Sequence, residues 1–101
     1  MNSIKTGTVT GTGAAINVEL GFVPDYVRVV NITDGDQTDE WFRGMTDGTS
    51  IQTNTAVAAR SSNGISEYAG TLADKKKGFT IGSGISESAK VLRWIAMRET
   101  P

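Results

Sequence analysis

A chain of 101 residues, 38% hydrophobic and 21% charged, is long enough for one domain with a modest core and too apolar for disorder. Its 10 basic and 11 acidic residues leave a net charge of −1, without the basic excess that nucleic-acid binding needs. With no Cys and no His, it has no disulfide or thiolate nucleophile and lacks the commonest general base and metal ligands.

The first residues, MNSIKTGTVTGTG, hold no apolar h-region of a signal peptide, and no apolar run in the chain is long enough to span a membrane. A protein made in a cytoplasm is the expectation. Residues 3–10 are Thr-rich and weakly alternating, as in a peripheral strand or an ordered arm covering 1–13. Gly11-Thr12-Gly13 opens like a dinucleotide fingerprint. It lacks the third Gly, and a strand pattern follows it where a pyrophosphate site needs a helix N-terminus, so it is read as a turn. In AAINVELG, Ile16, Val18 and Leu20 point one way and Asn17 and Glu19 the other, the pattern of a half-buried strand.

Pro24 cannot donate to a sheet and holds Val23 extended, so GFVPDY is a corner. DYVRVVNI then predicts a strand with apolar content on both faces. Residues 33–40 are polar, with Asp34-Gly35 as the tight turn and a solvated acidic loop as the expectation. Their spacing does not match a calcium loop. WFRGM (41–45) predicts a short aromatic strand, in which Trp41 and Phe42 face opposite sides, and Asp47-Gly48 a hairpin turn. Residues 50–60 predict one further strand, and 61–78 a long polar surface loop with a short strand near Ile65–Tyr68. The trio Lys75, Lys76 and Lys77 is read as a solvated guard beside the apolar GFTIG segment. Asn31-Ile32-Thr33 matches a glycosylation acceptor by chance, given no secretory signal.

The densest apolar run closes the chain. From Lys90, Leu92, Trp94 and Ala96 share one face, and Val91, Arg93, Ile95 and Met97 share the other. A strand covered on both sides must be central in a layered β structure or meet another copy of the chain. A helix over Ser86–Glu99 is the competing pattern, with no second helix to pack against it. Turn signals about every ten residues between short strands predict an all-β fold, a small antiparallel sandwich or barrel, in one domain covering 1–101. No carboxylate stands in an apolar context that would raise its pKa, and no Ser–Lys pair has a supporting element. A non-enzymatic protein without a cofactor is therefore the expectation.

The order of GFVPDYVRVVN, EWFRGM and KGFTIG followed by AKVLRWIAMR resembles small β-rich virion structural proteins of tailed bacteriophages, across about half of the chain. It departs from tail-fibre tips in having no His-rich ion-binding repeat. The resemblance implies a head-decoration (cement) protein, assembled as a homo-oligomer, commonly a trimer, on the major capsid protein lattice. It implies a place on the capsid surface and partners that are neither nucleic acid nor membrane. A tail or fibre module binding host glycans is the alternative. The contact residues expected are Ile4 and Val9 of the N-terminal arm, Trp41 and Phe42, Lys75, Lys76 and Lys77, and Trp94 of the final strand.

Overall fold

Alternating β-branched and aromatic residues between short polar breaks fold the chain into strands. The computed structural model describes residues 2–35, 37–54, 56–70 and 77–99, and among them there is no helix. The strands are β1 (Asn2–Thr10), β2 (Ile16–Glu19), β3 (Tyr26–Asn31), β4 (Gln37–Phe42), β5 (Thr49–Thr53), β6 (Val57–Tyr68), β7 (Gly78–Ile81) and β8 (Val91–Glu99). They form a single antiparallel sheet in the order β1-β8-β3-β4-β5-β6-β7-β2, curled into a half-barrel. β3 to β7 follow one another as neighbours. β8 then returns to insert between β1 and β3, while β2 docks on β7.

The concave face carries the core: Val18, Leu20, Val27, Val29, Trp41, Ile65, Phe79, Ile81, Leu92 and Ala96, with Ile85 from the 82–90 connection closing one end. Phe79 of β7 meets Trp94 of β8 edge-on across the interior, with ring centroids 5.4 Å apart. β6 has an irregular ladder. Its first part pairs with β5 (Arg60 opposite Ser50) and its last part with β7 (Ile65 opposite Ile81), and the register shifts between Thr49 and Ser50. Asn63 sits there at φ 57°, a left-handed conformation that Asn tolerates better than most residues. A side chain at Gly82 would strike the Asn63 carbonyl, so glycine permits the close approach at this bend.

The C-terminal segment is the strand β8, as its alternation predicts, and both its edges find antiparallel neighbours. Several other expectations change. The expected arm is the edge strand β1, paired with β8 along its whole length. The expected aromatic strand is shifted: Trp41 and Phe42 end β4, which begins at Gln37 inside the supposed acidic loop, and Arg43–Met45 is a turn. The single strand expected over 50–60 is β5 and the start of β6, broken by a turn near Asn54. The long loop expected at 61–78 gives way over 61–68 to β6, which takes in the short strand expected near Ile65–Tyr68 and is held by β5 in its first part and by β7 in its last.

Candidate functional site

Strand alternation sends one set of side chains into the core and the other onto the convex face of the sheet. On that face the registers align Ile4 of β1, Met97 of β8, Tyr26 of β3 and Phe42 of β4 in one row across four strands. Ile4 is 58% and Phe42 50% exposed, so the row is apolar and open to solvent at both ends. Tyr26 and Phe42 pack as tilted rings 5.0 Å apart. The Tyr26 hydroxyl donates to Glu40 Oε2 at 2.5 Å. Burial, then that hydrogen bond and the Glu40 charge, push the Tyr26 phenol up to about 12, against a smaller lowering by Arg28.

The next row holds Thr6, Ile95, Arg28, Glu40, Ile51 and Ala59. Beside it Thr6, Arg28, Val30, Arg93 and Ile95 line an open cleft of about 240 Å³ on the outside of β1, β8 and β3. Arg28 and Arg93 are exposed there, and among the described residues neither forms an ion pair. The face thus combines aliphatic and aromatic surface with guanidinium donors, the side-chain types that carry most binding energy in protein interfaces.

Behind this face, on the concave side, lies a buried polar cluster. Asp39 is fully buried and accepts from Ser50 Oγ at 2.6 Å, Arg60 Nε at 2.9 Å and Gln37 Nε2 at 3.1 Å. The carboxylate is therefore satisfied by donors from β4, β5 and β6, which makes it a structural group. Asn31 is likewise enclosed: its Oδ1 accepts from the Thr33 and Asp34 amides, and its Nδ2 donates to Asp34 and Glu87. Among the described residues no group of three or more acidic side chains is placed to hold a metal ion.

Of the contact residues expected from sequence, Ile4 and Phe42 lie on the convex face and share one row. Val9 and Trp94 turn the other way, half-buried against the core. Trp41 is a correction. It is fully buried beside Val27 and cannot reach a partner or serve as a platform for a sugar ring. Lys77 lines a polar cleft of about 260 Å³ with Val23, Arg43, Glu67 and Arg98. Lys75 and Lys76 lie outside the described residues. Arg28, Arg93, Ile95 and Met97 are not among the contacts expected from sequence, although the two-face alternation of the terminal strand already sets Arg93, Ile95 and Met97 on one side.

The fold and this face define an all-β module with an open, mixed apolar and cationic sheet surface. Compared with protein-family models, with curated proteins and with solved structures, the chain matches none.

Proposed function

We propose that this chain is a non-enzymatic virion structural protein, a capsid decoration protein that binds the major capsid protein lattice through the convex face of its sheet. The observation that carries the reading is the row Ile4–Met97–Tyr26–Phe42, an apolar stripe four strands wide with half-exposed residues at its ends. A stripe of this kind on a small domain favours contact with another protein surface. Bridging neighbouring coat subunits adds binding free energy to the shell, and many copies act together even where each contact is weak.

The test mixes purified protein with undecorated, expanded phage heads and follows binding and head melting. Saturable binding at micromolar protein with a raised melting temperature is expected, and Phe42→Ser should abolish both while remaining folded. Heads that neither bind nor gain thermal stability would overturn the reading.

A further inference from the structure

We propose that the free edge of β1 is a pairing site for the β1 strand of a second copy of this chain, in antiparallel register about Gly7. The inference goes beyond coat binding and does not depend on it.

The ladders fix which backbone groups of β1 remain unused. The Ile32 amide donates to the Val91 carbonyl at 3.0 Å, which places Val91, Arg93, Ile95 and Met97 with their backbone groups toward β3. Leu92, Trp94 and Ala96 therefore turn theirs toward β1, where they meet Val9, Gly7 and Lys5. The Gly11 amide on the Lys90 carbonyl at 2.7 Å, and the Ala89 amide on the Gly11 carbonyl at 3.0 Å, have the same phase. It follows that Ile4, Thr6, Thr8 and Thr10 direct N–H and C=O away from β8. β1 is the first strand of the sheet order, so no ladder takes these groups among the described residues.

A long free edge usually carries a device that blocks pairing, such as proline, a bulge or an outward charge. β1 runs nine residues, in unbroken register with β8, without proline or bulge. Its side chains on the convex face from Ile4 to Thr10 are uncharged, and its one charge in that span is already engaged: Lys5 Nζ donates to the Leu20 carbonyl at 2.7 Å and lies over the Phe22 ring. The opposite edge differs, since β2 has only four residues and turns Glu19 outward.

The edge sequence is close to self-complementary. With the two-fold at Gly7, Thr6 lies opposite Thr8 and Ile4 opposite Thr10 of the other copy, and each such pair exchanges two backbone hydrogen bonds. Cross-strand threonines pair favourably, and Lys5 faces Val9 of the other copy, so no like charges stand opposite one another. At the centre Gly7 presents no side chain. Its inner side is roofed by the Trp94 indole, whose Cζ2 lies 2.5 Å from where a Cβ would be. The pairing makes a dimer, which departs from the trimers that the phage resemblance implies.

Sedimentation of the full chain from micromolar to millimolar concentration, with amide exchange followed residue by residue, tests the inference. A concentration-dependent dimer is expected, in which the Thr6 and Thr8 amides gain protection with concentration while those of Gly7 and Val9 are protected throughout. Thr8→Pro removes one outward N–H without touching the β8 ladder and should weaken the dimer about tenfold or more. A monomer or a trimer at millimolar protein overturns the proposal. So does a dimer in which the Thr6 and Thr8 amides of the wild-type chain exchange as in the monomer, a reading that stands even if Thr8→Pro fails to fold. Heads that bind the Thr8→Pro monomer as well as wild type would leave coat binding standing alone.

Discussion

Arg60 and Asp39 lie on strands that are not neighbours, yet Arg60 Nε reaches over β5 to donate to Asp39 Oδ2 at 2.9 Å. Two glycines clear its way: a Cβ at Gly84 would stand 2.5 Å from Arg60 Nη1, and one at Gly64 3.1 Å from its Cδ. The guanidinium thereby ties β6 to β4 across β5, in space that the absent side chain of Gly84 leaves open. Removing one partner of a buried pair strands the other charge, which typically costs about 3–5 kcal/mol. Asp39→Ala should lose about that much in urea unfolding, and a loss well below 1 kcal/mol would show that the pair holds nothing in place.

The contact between Gly7 and Trp94 makes a second prediction. Gly7→Ala forces the Trp94 ring aside, since ring atoms and not a flexible tip occupy the Cβ position. Overpacking of this kind costs about 1–3 kcal/mol, and the indole emission should shift. In a Trp94→Leu background the same substitution should cost much less. An equal cost in both backgrounds would place the strain elsewhere.

Adjacent residues at the end of β4 should respond in opposite ways. Trp41→Ala opens a cavity in the core and should destabilise by about 3–5 kcal/mol. Phe42→Ser acts on a half-exposed side chain, should change stability by about 1 kcal/mol or less, and should instead abolish head binding. Calorimetry of both variants, beside the head-binding assay, separates the core role from the surface role.

Tyr26 gives a pH prediction. Its phenol is pushed up to about 12 from 10.0, by burial first and then by the hydrogen bond to Glu40 and that residue's charge. A folded-state pKa above the unfolded one favours the folded state fully below about 10 and loses that contribution as pH rises through about 12. Ultraviolet titration should therefore show a late tyrosinate step that is absent in Tyr26→Phe and moves to lower pH in Glu40→Gln. A step that ignores Glu40→Gln would remove Glu40 as a cause.

What the sequence made legible follows from where the determinants lie. β8, β3 and β2 were readable because alternation is local: Leu92, Trp94 and Ala96 declare one face within a few residues. β6 was hidden because Ser61, Ser62 and Asn63 carry no period, and the pairings that hold the strand lie on either side of them, at 57–60 with β5 and at 65–68 with β7. Asp39 resembles every other carboxylate of an acidic stretch. Its burial is decided by Ser50, 11 positions away, and Arg60, 21 positions away, and no local pattern encodes such partners. The convex-face row was half visible, since Phe42 and Ile4 drew attention singly, but their alignment through Met97 and Tyr26 depends on sheet order.

The insertion of β8 between β1 and β3 sets the timetable of assembly. A nascent chain that has emerged only through β7 has β1 without any ladder, because among the described residues β8 is its sole neighbour. Closing the strand pairs from Asn2–Glu99 to Thr10–Val91 joins positions far apart along the polypeptide, and such late, non-local zippering slows folding. Until it happens, both flanks of the gap offer bare backbone to any other strand within reach, so the interval before β8 arrives is when this protein is most exposed to misassembly.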